Sequence, residues 1–162
     1  MISYMDTVYT PSRLHKKVTV SIQNVQKDMK ETLQSILKKI EGKCCEDGFV
    51  EPDSVQVEQY SAGTVRGSNI VFNVIIKCNI AYPVSGQLYD AKVDNITKAG
   101  IKCRLDRAVS PFVIFVARDH HYDHERFGNV KEGDIIVIKV IGQRFVLDDD
   151  YIAVIASLQD AK

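Results

Sequence analysis

The fold is decided by residues 80–104, which read Ile-Ala-Tyr-Pro-Val-Ser-Gly-Gln-Leu-Tyr-Asp-Ala-Lys-Val-Asp-Asn-Ile-Thr-Lys-Ala-Gly-Ile-Lys-Cys-Arg. Apolar and polar residues alternate from Tyr89 to Asp94 and again from Ile101 to Leu105, which is the periodicity of half-buried β-strands. A turn that ends at Gly100 joins the two strands into a hairpin. Because a Pro-Val-Ser-Gly joint precedes the hairpin, the stretch predicts the end of one small domain and the start of a second. Such hairpins commonly open small β-barrels that bind nucleic acid.

Composition indicates a globular protein with a core of its own. The chain has 162 residues, 45% of them hydrophobic, which suits one medium domain or two small ones. Its 21 basic residues balance 21 acidic ones, so a general nucleic-acid coat protein is not indicated and any binding face must be local. The longest apolar run, Phe112–Ala117, is far shorter than the roughly 20 residues that span a bilayer. The N-terminus lacks the pattern of a secretion signal, so we expect an intracellular protein without membrane contact.

The first half of the sequence predicts an α+β unit, after an arm of residues 1–12 that shows no pattern. A short strand is expected from Lys17 to Ile22, followed by an amphipathic helix with Asn24 as its N-cap and Gly42 as its left-handed end. The apolar stripe of that helix is Val25, Met29, Leu33, Ile36, Leu37 and Ile40. The longest later strand carries, at alternate positions, Phe72, Val74, Ile76, Cys78 and Ile80.

The second half is predicted to be all β. After the hairpin, strands are expected at Phe112–Ala117, Asp134–Ile141 and Tyr151–Leu158. Five strands in about 75 residues, with one longer connection from Arg118 to Lys131, is the count typical of an OB-type barrel. The predicted fold class is therefore α+β, with an N-terminal domain over residues 1–82 and a five-stranded OB-fold barrel over residues 83–162.

Several short segments occur in a fixed order along the chain. They are Glu41–Cys45 with Asp47–Val50, Phe72–Pro83, Gly86–Val93, Lys139–Gly142 and Tyr151–Leu158. In order and spacing they resemble the E-G-x-C…G-F-[VI], F-x-V-x-Y-x-A-I-V-F-x-P, G-E-V-x-D-A-x-V, K-I-V-G and I-F-A-I-G-S-L segments of one protein family. That family is the stalk subunit of archaeal and eukaryotic multisubunit RNA polymerases, which in the eukaryotic enzymes is called the seventh subunit. The colinear set, rather than any one motif, carries the resemblance.

The resemblance implies an N-terminal tip domain that docks on the polymerase core and a C-terminal barrel of the ribosomal-protein S-one type. It also implies a small helical partner subunit and contact with nascent single-stranded RNA. A cellular eukaryotic member would lie in the nucleus, and a viral one in the cytoplasm or virion. The segment Val116–Asp119 departs from the family's I-S-R-H, and the loop after it is shorter than in cellular eukaryotic members. Such compaction would fit a divergent polymerase, for example that of a large DNA virus.

One cluster of candidate metal ligands follows the third barrel strand: His120, His121 and His124 with Asp119, Asp123 and Glu125. Ligands four residues apart come together only on a helix, whereas this segment has no apolar stripe and predicts a solvated loop. The sequence contains no Gly-rich phosphate loop and no G-x-S-x-G motif. The run Asp148–Asp150 is expected in a solvated turn. Cys78 and Cys103 are expected as buried thiols. We therefore predict no metal, no cofactor and no independent catalysis.

The candidate RNA-binding residues follow from the hairpin. Lys102 and Arg104 share the outward face of the second strand, where OB barrels bind nucleic acid. Lys98 in the first turn and Arg118 after the third strand extend this patch. Tyr122 is the candidate stacking residue, whereas Phe115 lies in an apolar run and is expected in the core. Because an ordinary solvated face is the alternative for each cation, only weak, salt-sensitive binding is expected.

Docking residues are assigned by analogy with the family. They are Cys44, Gly48, Phe49, Tyr60, Gly63, Tyr82 and Pro83, and plain turns are the alternative at each position. The sequence as a whole predicts a noncatalytic stalk subunit of a DNA-directed RNA polymerase. The alternative is a free-standing OB-fold RNA-binding protein in translation or RNA processing, which would bind RNA tightly without partners.

Overall fold

The structure is a computed structural model that describes residues 8–25, 27–121 and 125–159, with only the backbone described at His120. The chain is mixed α+β and mostly strand, as the sequence predicts. The described helices include none that is long and apolar enough to cross a membrane.

The first unit is an antiparallel sheet with one helix against one side. Its strands are β1 (Tyr9–Ser21), β2 (Cys44–Cys45), β3 (Gly48–Val50), β4 (Gln56–Tyr60), β5 (Thr64–Arg66) and β6 (Asn69–Ala81), and its helix is α1 (Met29–Leu37). Single turns of 3₁₀ helix lie at Ile22–Asn24 and Lys38–Ile40. Strand β6 is central, since it pairs with β1 along one edge and with β3, β4 and β5 along the other. All the residues predicted to share its inner face are buried.

Two predicted boundaries of this unit are wrong. Strand β1 begins at Tyr9 rather than Lys17, because the thirteen-residue strand β6 supplies backbone partners to positions that show no hydrophobic alternation. The helix begins after Asp28 rather than Asn24, since the Asp28 carboxylate accepts a hydrogen bond from the Glu31 N–H at 3.2 Å. Ile22 and Val25, predicted on apolar faces, are therefore 48% and 40% exposed in the connection.

The helix is fixed to the sheet by apolar packing and by one polar side chain. Leu33 and Leu37 are buried in the cluster that includes the inner face of β6. The Gln34 amide oxygen accepts from the Val57 N–H at 2.8 Å, and its amide nitrogen donates to the Val55 carbonyl. Past the helix, Gly42 has φ +73°, the left-handed conformation expected there.

The second unit is a closed five-stranded barrel, as predicted. Its strands are β7 (Leu88–Ile96), β8 (Gly100–Leu105), β9 (Phe112–Ala117), β10 (Ile135–Arg144) and β11 (Ile152–Gln159), and helix α2 (Glu125–Asn129) lies in the long connection. The order around the barrel is β7-β8-β9-β11-β10 and back to β7, with β9 and β11 parallel. Strand β11 buries Ile152, Val154, Ala156 and Leu158 on one face, as the alternation predicts. The fully buried rings of Tyr89 and Phe112 meet edge to face at 5.6 Å.

The two units share hydrogen bonds and one core. The Cys44 N–H donates to the Asp149 carbonyl at 2.8 Å, and the Asp148 N–H donates to the Cys44 carbonyl at 2.9 Å. Phe49 of β3 has no exposed surface and belongs to the same cluster as the barrel core. Beside it, Gly48 has φ +131° and a Cβ there would collide with the Ala81 carbonyl oxygen, so this position requires glycine. The barrel is therefore held in a fixed relation to the first unit.

Candidate nucleic-acid interface

An outward-facing row of side chains crosses four strands of the barrel. Lys102 of β8 lies opposite Asn95 of β7 on one side and opposite Phe115 of β9 on the other. Phe115 in turn lies opposite Ile155 of β11. Because alternate residues of a strand point to opposite faces, the buried neighbours of these residues fill the core and the row itself stands outside. We call Asn95, Lys102, Phe115 and Ile155 the barrel row.

The exposure of Phe115 corrects the prediction that it lies in the core. Phe112, Ile114 and Val116 take the inward positions of β9, which leaves Phe115 on the outside, 37% exposed. Because the run is apolar throughout, the sequence shows no alternation from which the outward position could be predicted. Ile155, on the face of β11 opposite the predicted buried residues, is 51% exposed and was not among the predicted binding residues. An aromatic ring and an aliphatic side chain thus lie beside Lys102.

The predicted RNA-binding cations differ in the ion pairs that they already make within the chain. Lys102 is exposed and has no ion pair among the described residues. Arg104 is exposed too, and its Nε contacts an Asp94 carboxylate oxygen at 3.1 Å. Both of those side chains are at least one-third exposed, so the pair is worth little in water and would exchange readily for a phosphate. Lys102 and Arg104 therefore remain available to an anionic ligand.

Arg118 holds the first turn of the barrel in place. Its Nε donates to the Lys98 carbonyl at 3.0 Å, and one terminal nitrogen donates to the Thr97 carbonyl at 3.3 Å. Its guanidinium carbon also lies 5.1 Å from the centre of the Phe127 ring. The Lys98 side chain is exposed at this turn. Arg118 thus lies beside Lys98 and serves to position this turn. Tyr122, the predicted stacking residue, lies outside the described residues.

His121 is buried in the barrel wall, which corrects the prediction of a solvated loop. Only 7% of it is exposed, and its ring stacks on Phe127 at 5.0 Å with an angle of 14° between the planes. Its Nδ1 lies 2.7 Å from the Ala117 carbonyl, and its Nε2 accepts from the Leu158 N–H at 2.8 Å. A carbonyl only accepts, so Nδ1 carries the proton of a neutral imidazole. His121 is therefore a structural side chain.

Several other members of the predicted histidine cluster lie outside the described part of the chain. His124 and Asp123 lie outside the described residues, as does the side chain of His120. Within the residues that the structure describes, no group of three or more His, Cys, Asp or Glu side chains is placed to hold a metal ion.

All four cysteines are buried, and Cys44, Cys78 and Cys103 keep their protons at neutral pH. Burial raises the pKa of the Cys44 and Cys78 thiols to about 11 and that of the Cys103 thiol to about 12. Nearby acids, such as Asp149 at Cys44, add to the effect. Since a thiol reacts as its thiolate, these side chains serve as small apolar groups, as expected for Cys78 and Cys103. The Cys44 sulfur also lies 3.6 Å from the Tyr151 carbonyl across the junction of the two units.

The predicted docking residues fall into two groups. Cys44, Gly48, Phe49 and Pro83 are buried and leave little surface for a partner. Cys44 and Phe49 join the two units. Tyr60 and Tyr82 are 41% and 46% exposed.

Contacts within the chain orient these exposed groups. The Tyr82 hydroxyl accepts from the Gln143 amide at 2.9 Å, and its ring meets Phe145 edge to face. Tyr60 meets Phe72 in the same way. At Gly63, a Cβ would collide with the Ile70 side chain.

Neither a scan against protein-family models nor a search of curated proteins gives a match for this chain. The resemblance to polymerase stalk subunits therefore rests on the ordered sequence motifs alone.

Proposed function

We propose that this chain is a noncatalytic stalk subunit of a DNA-directed RNA polymerase. It docks on the core enzyme, pairs with a small helical subunit and contacts nascent single-stranded RNA. The observation that supports the RNA contact best is the barrel row, with Lys102 beside Phe115 on neighbouring strands. The closed five-stranded barrel is consistent with an OB fold, in which the second and third strands carry the usual nucleic-acid surface. In that assignment β8 and β9 are those two strands.

The barrel row and its neighbour Arg104 provide the two kinds of contact that binding of single-stranded nucleic acid requires. Lys102 and Arg104 offer charge to phosphates, and the Phe115 ring offers a face on which one base stacks. A stacked base contributes about 1–3 kcal/mol and is tolerated whatever its identity. With one stacking ring and two available cations, the isolated chain binds RNA weakly, and added salt weakens that binding further. Weak binding suits a subunit whose RNA is delivered by the enzyme to which it is attached.

The junction of the two units supports an assembly role. A subunit that guides a strand leaving a larger enzyme must hold its binding surface at a set position. The paired hydrogen bonds of Cys44 with Asp148 and Asp149 and the shared core at Phe49 provide that rigidity. Tyr60 and Tyr82 are the exposed docking candidates. The ordered sequence motifs are what supports an RNA polymerase as the docking partner.

Purification from the native source tests the proposal. The tagged full chain is expected to comigrate with the large polymerase subunits and with one small helical protein through two successive columns. A preparation that never contains large polymerase subunits overturns the proposal.

A free-standing RNA-binding protein is the second candidate, and the barrel row favours it equally. That candidate predicts that the isolated chain binds single-stranded RNA tightly, with a steep salt slope. The stalk proposal predicts weak binding by the isolated chain.

A further inference from the structure

The two sides of Phe115 on the barrel row differ in the hydrogen bonds that they can offer. On the β11 side, Ile155 lies directly opposite the ring, and its side chain has neither donor nor acceptor. On the β8 side, Lys102 lies directly opposite, where paired Cβ atoms are about 4.5–5.5 Å apart. Because Phe115 and Ile155 are both exposed, a base that stacks on Phe115 covers apolar surface and has one edge towards Lys102.

Lys102 is available to that edge of the base. Its side chain is exposed and has no ion pair among the residues that the structure describes. The ammonium group carries three N–H donors and no acceptor, so a contact with a phosphate leaves donors for a base. The flexible four-carbon stem lets the ammonium reach the edge of a base on the neighbouring strand. Lys102 therefore presents only donors to the stacked base.

The other polar side chains of this region do not reverse that bias. Asn95 lies opposite Lys102 on β7, and its amide both donates and accepts, so it suits any base. The carboxylate of Asp94, also on β7, contacts Arg104 Nε at 3.1 Å. Strand β8 lies between β7 and the strand of Phe115, which separates those strands by about 10 Å, or two strand spacings. Lys102 is thus the polar side chain closest to the ring along the row.

The four bases differ in the group that they offer to such a donor. Uracil carries the carbonyl oxygen O4 where cytosine carries the N4 amino group, and guanine carries O6 where adenine carries N6. An oxygen accepts from the ammonium, whereas an amino group is itself a donor and sets two donors against each other. Stacking accepts every base, so discrimination at Phe115 comes from this edge.

We propose that Lys102 makes the barrel row prefer the carbonyl-bearing bases uracil and guanine over cytosine and adenine. This inference rests on the RNA contact proposed for the barrel and names the RNA that it favours, one rich in uracil or guanine. Lys102 thus serves as a specificity-determining residue, while Arg104 contacts phosphate. The preference has the size of one net hydrogen bond, about three- to tenfold in affinity.

Two pyrimidine oligomers isolate the edge contact, because uracil and cytosine have rings of the same size. Fluorescence anisotropy with the full chain would compare an oligouridylate and an oligocytidylate of about six nucleotides at neutral pH, within the roughly 4–16 nucleotides of one OB fold. A third oligomer, of 4-thiouridine, replaces O4 by sulfur, a weak acceptor.

The test variant is Lys102→Met, which keeps an unbranched side chain and removes the donors. The matched control is Lys98→Met, which removes the same charge from an exposed position in the first turn of the barrel.

The unmodified chain should bind the oligouridylate about three- to tenfold more tightly than the oligocytidylate. The Lys98→Met control should keep this ratio, and the 4-thiouridine oligomer should bind like the oligocytidylate. In Lys102→Met the ratio should fall to about one, while the lost charge weakens both affinities. Equal affinities for the two oligomers in the unmodified chain, a ratio that survives in Lys102→Met, or a 4-thiouridine oligomer that binds like the oligouridylate overturns the inference.

The same measurements separate this inference from the proposed function. If both oligomers bind equally and Phe115→Ala weakens both, the base preference fails while the RNA contact of the barrel stands. If neither oligomer binds, or if Phe115→Ala and Lys102→Met bind both as the unmodified chain does, the RNA contact fails and the base preference fails with it.

Discussion

Replacing His121 tests whether this side chain closes the end of the barrel wall. Leu158 lies two residues beyond Ala156, the last residue of β11 that pairs with β9. The His121 ring supplies the acceptor that the Leu158 N–H lacks there, at 2.8 Å. His121→Phe keeps an aromatic ring against Phe127 and removes both ring nitrogens. The variant therefore isolates the two hydrogen bonds from the stacking.

The expected loss follows from the burial of the two groups. A buried N–H that loses its acceptor costs about 1–3 kcal/mol, and the Ala117 carbonyl loses its donor as well. Together we expect His121→Phe to lower the free energy of unfolding by about 2–4 kcal/mol. In His121→Gln the side-chain amide oxygen takes the place of Nε2 as acceptor for Leu158, so about half of that loss should return. His15→Gln is the control, since His15 is exposed on β1 and should change stability by less than about 0.5 kcal/mol.

Urea unfolding measures these differences. With a slope of about 2 kcal/mol per molar urea, His121→Phe should shift the midpoint down by about 1–2 M, with the slope unchanged. The barrel-wall role is refuted if His121→Phe unfolds within about 0.5 kcal/mol of the unmodified chain, which is the effect of an ordinary surface change.

Three other changes probe the interface, the junction and the thiols. Phe115→Ala should lower affinity for a short oligouridylate about five- to a hundredfold, from the loss of one stacked base; Val109→Ala, also exposed, is the control. Gly48→Ala should destabilise the chain by more than about 2 kcal/mol, roughly twice the cost of positive φ alone, because the added Cβ would collide with the Ala81 carbonyl oxygen. Gly67→Ala is the control, since the space around Gly67 is open and the change should cost only about 1 kcal/mol. Equal melting temperatures for the two variants would contradict this. The contribution of the thiols to the free energy of unfolding should be full below pH 9.0 and should fall as the pH rises towards 11–12. In that range the unfolded chain releases protons that the folded state retains on Cys44, Cys78 and Cys103. A free energy of unfolding that stays constant across that range would rule this out.

Alternation in the sequence identified the inner faces well, because burial on one side of a strand imposes a period of two. The inward residues of β6 and β11 follow it throughout. The exposure of Phe115 was not predicted because β9 is apolar on both faces, so composition alone gave no sign of which residues face outward. The helix start was misplaced because both Asn24 and Asp28 suit an N-cap, and only the geometry shows which side chain reaches an N–H.

The role of His121 was hidden for a different reason. Its acceptor contact joins residues 121 and 158, which are 37 positions apart, and no local pattern predicts such a pair. The same holds for the contacts of Cys44 with Asp148 and Asp149, which turn a motif expected to face a polymerase into the joint between the two units. Contacts between distant segments are decided by the fold, so residue types alone left Cys44 and Phe49 open to a docking role.

The polymerase assignment is tested most directly by the proteins that purify with the full chain from its native source. Quantitative mass spectrometry of that material should find the large polymerase subunits in a one-to-one ratio with this chain, together with a small helical partner. Recovery of the chain free of those subunits, or with ribosomal or RNA-processing proteins in their place, would contradict the assignment.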